Sequence, residues 1–172
     1  VIGCGHIGKD VAKLARAFGC QVLAHDIVEY SKFYKCYDIT PVALDELLLQ
    51  SDIVTLHTPL NGSTENILSA EKLALMTPGS ILINAARGGL VDESALKIAL
   101  SSQALAGAGF DVFAIEPPID KSLLSLPNFL ATPHIGGSTD EAILSMGRAA
   151  IEGLLSHGDP LTVASNLAPD RS

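Results

Sequence analysis

Short apolar runs alternate along this chain with stretches in which apolar residues return at helical spacing. Val1-Ile2 leads into the glycine-rich stretch Gly3-Cys4-Gly5-His6-Ile7-Gly8. Ile7, Val11, Leu14, Ala15 and Phe18 then fall on one helical face, and Gly19 ends that helix. Residues 21–25 read as a second strand, while 28–37 are polar and aromatic without a clear period and predict a loop with some helix. A short helix over 43–50 is followed by a third strand over 52–57, closed by Thr58-Pro59. Ser69 is the expected N-cap of a helix reaching Met76, Pro78-Gly79 turns the chain, and 80–84 form a fourth strand. Asp92 caps the next helix, which runs to Ser101, and a fifth strand spans 105–112. Residues 114–127 predict a proline-bounded loop and 129–132 a sixth strand. A last helix from Thr139 carries Ile143, Met146, Ala150 and Leu154 on one face, with Gly158 and Pro160 ending it.

Short apolar strands alternating with helices predict an α/β domain, a doubly wound parallel sheet covered on both faces. No internal repeat or low-complexity segment interrupts it. A chain of 172 residues suits one domain that buries roughly 70% of its unfolded surface. With 48% apolar residues, intrinsic disorder is excluded. The long uncharged stretch over 122–139 is broken by Pro127, Asn128, Pro133 and a glycine pair, so no membrane span is expected. Nineteen acidic against eleven basic residues, a net charge of −8, argue against a nucleic-acid partner. Cys4, Cys20 and Cys36 show no metal-ligand spacing and cannot all pair, which suits a reducing cytoplasm. No basic stretch precedes the first apolar residues, and no secretory leader is expected. Only two residues stand before the glycine turn as strand, where about 5–6 are usual. A longer parent chain is therefore expected.

Gly3-x-Gly5-x-x-Gly8 alone is a weak signal, because glycines serve any tight turn. Strand before, helix after, and Asp26 at the end of the second strand turn it into a dinucleotide arrangement. In that reading Gly3 permits the turn, Gly5 lets the main chain approach a pyrophosphate, and Gly8 lets helix and strand pack closely. The amides at the helix start, at His6 and Ile7, face the anion. Asp26 accepts from the adenosine ribose hydroxyls and repels a 2′-phosphate, which favours NAD over NADP. His6 suits either a pyrophosphate donor or a solvated helix start.

Strand ends in an open α/β sheet face the ligand crevice. Four carry polar groups: Thr58-Pro59, Asn84-Ala85-Ala86-Arg87, Asp111, and Thr132-Pro133-His134. Arg87 suits bidentate binding of a carboxylate, or an ordinary salt bridge. His134 suits proton transfer or a satisfied loop position, and Glu116 on composition alone is an exposed acid. As a set they fit acid–base work on an anionic substrate.

Three segments resemble the D-2-hydroxyacid dehydrogenases: Ile83-Asn84-Ala85-Ala86-Arg87-Gly88-Gly89-Leu90-Val91-Asp92-Glu93, Gly109-Phe110-Asp111-Val112-Phe113 followed by Glu116-Pro117, and Thr132-Pro133-His134-Ile135-Gly136-Gly137-Ser138. Within that family the chain looks most like the phosphoglycerate dehydrogenases and their glyoxylate- or hydroxypyruvate-reducing relatives. The resemblance implies a Rossmann NAD-binding domain over 1–160 and a tail over 161–172 returning toward a substrate domain that is missing from this sequence. It implies His134 as the proton carrier, Glu116 as its partner on the other ring nitrogen, and Arg87 as holder of the substrate carboxylate. Asp111 matches the position that meets the nicotinamide carboxamide. Thr58-Pro59, Asn84, Ala85 and Ala86 match segments lining the cofactor, and Gly136-Gly137 the loop beside the nicotinamide. His6 departs from the arginine that many relatives carry. A small 2-hydroxy or 2-keto acid is the implied substrate, and a homodimer the implied assembly. Another class stays open: an NAD-sensing module resembling the family's corepressors, whose output is partner binding. A Rossmann enzyme of the adenosylhomocysteine hydrolase kind fits the glycine turn but not the Arg, Glu and His segments.

Overall fold

The computed structural model describes residues 1–155 and divides the chain into two units, Val1–His134 and a second beginning at Ile135. The expected helix end at Gly158 and Pro160 and the tail over 161–172 lie outside the described residues.

In the first unit, short apolar runs pair in parallel, as strands joined by helical crossovers must. The strands β3 (Ile53–Leu56), β4 (Ile81–Asn84), β5 (Gly107–Phe110) and β6 (Phe129–Ala131) lie side by side in that order. A smaller parallel pair joins β1 (Val22–Ala24) to β2 (Ile39–Pro41). Ile2 stitches the two sets together through parallel bridges to His25 on one side and Leu56 on the other. Its amide donates to Thr55 O at 2.9 Å and its carbonyl accepts from His57 N at 2.7 Å. The order is therefore β2-β1-Ile2-β3-β4-β5-β6, and the winding reverses at Ile2. That is the switch point of a doubly wound sheet, where ligands bind beyond the carboxyl ends of the strands.

The crossovers are α1 (His6–Ala17), α2 (Ser31–Tyr37), α3 (Leu44–Gln50), α4 (Ala70–Ala74), α5 (Glu93–Ser101) and α6 (Lys121–Leu124). Both predicted N-caps form. Ser69 Oγ accepts from Lys72 N at 3.4 Å, and Asp92 Oδ1 accepts from Ser94 N and Ala95 N at 3.0 Å each. The main core gathers Ile2, Leu47, Val54, Leu56, Leu82, Leu96 and Phe110, and a smaller one Val1, Cys4, Ala12, Val22, Tyr34 and Ile39.

Several expectations are refined or corrected. Residues 28–37, expected as loop with some helix, hold α2 over 31–37, and Tyr30 at its N-cap joins Phe33, Tyr34 and Tyr37 in a ridge of edge-on and tilted ring contacts. Lys9 of α1 caps that ridge, its Nζ 3.6 Å from the Tyr30 ring centre. The strand β2 is new, and α6 stands inside the expected loop. The face of α1 turned inward is the small one, Gly8 and Ala12, while Ile7, Leu14 and Phe18 are exposed. Close approach to the Gly3 carbonyl selects that face, as described below. Within the first unit, Ile53, Ile81, Ile83 and Leu130 share one face of the sheet and are exposed, while Val54, Leu82 and Ala108 on the other face are buried. In the second unit, α7 (Asp140–Leu155) follows the predicted last helix, with Ile143 and Met146 exposed.

Candidate active site

Every candidate residue of the first unit stands at the carboxyl edge of the sheet or on the turn leaving it. At the centre, Gly3 has φ +90°, and a Cβ there would lie 2.7 Å from the His57 carbonyl carbon and 2.8 Å from Thr58 N. Only glycine fits that conformation and that gap. A Cβ on Gly8 would sit 1.9 Å from Gly3 O, so the first turn of α1 lies directly on the strand end. Gly5 is the opposite case, with nothing within 4 Å of the place its Cβ would take. As N-cap of α1 it offers no side chain to the amides of the first turn, which therefore keep their donors for an outside acceptor. His6 and Ile7 at that start are both exposed.

Asp26 closes one side of this cradle. Its Oδ2 accepts from Cys4 N at 2.6 Å and its Oδ1 from Val28 N at 2.8 Å. The carboxylate is thus tied to the residue between the first two glycines, with lone pairs left for hydroxyl donors. An open, uncapped helix start beside a fixed carboxylate matches the anion and the diol of a dinucleotide. On the other side Thr58 is half-buried and Pro59 exposed. Before them, His57 Nε2 lies 3.0 Å from Thr55 Oγ1, and burial holds its imidazole below the ordinary value.

The end of β4 shapes the arginine loop. Asn84 is buried, and its amide is committed within the loop: Nδ2 donates to Arg87 O at 2.9 Å and Oδ1 accepts from Ala86 N at 3.1 Å. Its side chain therefore builds the turn that carries Arg87, and Ala85 is the exposed member of the trio. Arg87 is exposed, with Nη1 donating to Ala86 O at 2.6 Å. Gly88 brings this loop against the next: a Cβ there would lie 1.9 Å from Phe113 O.

Beyond β5 and β6 stands the pair that the chemistry needs. Glu116 Oε2 lies 2.8 Å from His134 Nδ1, and Glu116 Oε1 accepts from Phe113 N at 2.9 Å. The His134 hydrogen bond, with the Phe113 amide second, holds the Glu116 carboxyl below its ordinary value. With Nδ1 engaged, Nε2 is the nitrogen on the far side of the ring. His134 adopts φ +54°, a left-handed conformation rare outside glycine. Asp111 is buried and accepts from Thr132 Oγ1 at 2.5 Å, which braces the roots of the two strand ends.

Glu116 and His134 are therefore in contact, and Arg87 is tied to their loop through Gly88. Gly136 and Gly137 belong to the second unit, described by itself. Sequence reading assigned no role to Gly88, His57, Thr132 or Glu93, whose Oε1 accepts from Ala114 N at 2.7 Å. Gly88 and Glu93 sit in the segment already quoted, but their contacts lie across the sheet edge and have no local signature.

Residues 1–136 match the model of the D-isomer specific 2-hydroxyacid dehydrogenases, NAD binding domain. A D-3-phosphoglycerate dehydrogenase of Bacillus subtilis (strain 168) is 41% identical over 165 residues, covering 96% of this chain and 31% of the relative. A hydroxypyruvate reductase of Thermotoga maritima is 44% identical over 155 residues, covering 88% of this chain and 50% of that protein. Among solved structures, D-lactate dehydrogenase with NAD+ from Lactobacillus jensenii superposes with TM-score 0.82 at 36% identity, over 90% of this chain and 50% of that one. The chain thus spans from about a third to half the length of these relatives.

Proposed function

The chain belongs to the D-isomer specific 2-hydroxyacid dehydrogenase family as its NAD-binding domain, and from that membership we propose that it serves an enzyme interconverting a D-2-hydroxy acid and the matching 2-keto acid. The observation that carries the proposal is the Glu116–His134 pair, 2.8 Å apart on the sheet edge that also bears Arg87. When bound, the nicotinamide cofactor would supply the hydride acceptor or donor for the substrate's C2. His134 Nε2 takes the substrate's hydroxyl proton in oxidation and gives it back to the carbonyl oxygen in reduction. Glu116 holds Nδ1, fixing the tautomer and stabilising the imidazolium that forms. Arg87 turns from its Ala86 carbonyl to grip the substrate carboxylate as a two-pronged donor. Asp26 and the start of α1 would hold the adenosine ribose and the pyrophosphate, with Thr58, Pro59, Ala85 and Asp111 toward the nicotinamide end.

The substrate is phosphoglycerate-like in the first reading, and hydroxypyruvate or glyoxylate in the second, which the Thermotoga relative supports. We place the domain at residues 1–160 of this sequence, in a cytoplasmic homodimer. The three free cysteines are consistent with a reducing compartment, and no helix among the described residues is long and apolar enough to cross a membrane. A corepressor-like module has no support from the dehydrogenase and reductase names of the relatives above.

In the complete enzyme, His134→Ala is expected to lower turnover by about 10²- to 10⁴-fold, while calorimetric titration shows NADH affinity unchanged within about twofold. Near-normal turnover in that variant would remove His134 from the mechanism. An absence of any NADH heat at millimolar ligand would remove the cofactor site.

A further inference from the structure

Two short loops must hold still relative to one another for this chemistry: the one carrying Arg87 and the one carrying Glu116. The segment after β4 grips the 113–114 peptide at two points. At the first, Gly88 lies so close that a Cβ would meet Phe113 O at 1.9 Å and Ala114 N at 2.6 Å. At the second, five residues on, half-buried Glu93 accepts from Ala114 N through Oε1 at 2.7 Å. The neighbouring amide, Phe113 N, donates to Glu116 Oε1. Successive amides of one turn thus go to two carboxylates, one fixed at the start of α5 and one against His134.

We propose that Glu93 is a positioning residue for the Glu116–His134 pair, its carboxylate pinning Ala114 N–H so that the 113–116 turn keeps Glu116 on His134 Nδ1. The inference rests on the acid–base role given to that pair above. A charge at the first position of α5 also favours the helix dipole, and that is the purely structural account to be beaten. Glutamine separates the two, since its amide oxygen still accepts from Ala114 N–H while the charge is gone. Alanine loses both.

The test uses the complete enzyme with Glu93→Ala, Glu93→Gln and, as control, His134→Ala. In Glu93→Ala, kcat is expected to fall by about 10- to 100-fold, the scale of a small misplacement of catalytic groups, with NADH affinity within about twofold of wild type. The Glu116 carboxyl, followed by ¹³C NMR, should titrate higher, toward its ordinary range, as its hold on His134 and Phe113 N loosens. Glu93→Gln should keep both the kcat and the low Glu116 titration. Equal losses in the alanine and glutamine variants, or an unmoved Glu116 titration in the alanine variant, would overturn the proposal. If the alanine variant does not fold, Glu93→Asp, one methylene shorter, takes its place with the same expectations. Should His134→Ala leave turnover intact, the acid–base reading fails, and the Glu116 titration still decides whether Glu93 positions it.

Discussion

Gly5 and Gly8 belong to one motif, yet their surroundings differ enough to separate folding from binding. A methyl group on Gly8 would drive into the main-chain oxygen of Gly3 at 1.9 Å, so one of the two segments must move. Gly5 has open space around its would-be Cβ and an ordinary negative φ of −66°. Gly8→Ala is therefore expected to lower both the melting temperature and NADH affinity, the latter by tenfold or more. Gly5→Ala should melt within about 2 °C of wild type, as a surface change away from packed groups does, and still lose NADH affinity. Paired thermal melts and titrations check this, and a Gly5→Ala variant that binds NADH normally would show that the space above Gly5 is not used. The three glycines and Asp26 were legible in the sequence because spacing and the predicted elements place them on one strand–turn–helix–strand unit. The bond from Cys4 N to Asp26 was not, since it joins residues brought together only when β1 lies beside Ile2. Asn84 marks the same limit: its position at a strand end was readable, but whether its amide faces outward or closes its own loop depends on the turn that follows.

At the scale of elements, alternation and caps were readable where a helix starts on a side-chain acceptor, as at Ser69 and Asp92. Strand β2 was not, because it is three residues long, ends in Pro41, and buries only Ile39. Helix α6 was hidden by the prolines around it, although Asp120 supplies a cap, accepting from Ser122 N at 2.9 Å and Leu123 N at 3.2 Å. Asp120 also meets Lys97 Nζ of α5 at 2.6 Å, and so ties two helices together. That ammonium, with Ser122 and the cap amides, holds the Asp120 carboxyl far below its ordinary 3.8. The folded state then binds this proton less readily than the unfolded state, so the stabilisation is in force above about pH 4 and fades as pH falls. Asp120 is only half-buried, and solvent screening keeps the effect modest. Asp120→Asn should lower the melting temperature at pH 7, with the difference from wild type shrinking toward pH 3. A difference that stays constant between those two values would show that capping geometry matters and charge does not.

Across the whole molecule, the two halves of the sheet meet on the short segment Val1–Gly3, where Val1 O and Gly3 N bond His25 on one side and Ile2 bonds Thr55 and His57 on the other. Ile2 carries the bridges to both halves, and the halves have unequal cores: Val22, Ala24, Tyr34 and Ile39 with a few neighbours on one side, and the large leucine-rich cluster on the other. The smaller half bears Asp26, while Arg87, Asp111, Glu116 and His134 stand on the larger. A dinucleotide lying across the glycine turn would join them. Opening of the smaller half removes less apolar contact and should occur below the free energy of global unfolding. In the free chain, the amides of β1 are therefore expected to exchange faster with solvent than those of β4. Because such opening also dismantles the Asp26 side of the cradle, NADH at about 100 times its dissociation constant should oppose it by about 2.7 kcal/mol, slowing β1 exchange by about 100-fold. Hydrogen exchange followed by NMR reads both halves in one experiment. Equal exchange of β1 and β4 in the free chain would show that the two cores open as one, and β1 amides indifferent to NADH would place the cofactor away from Asp26.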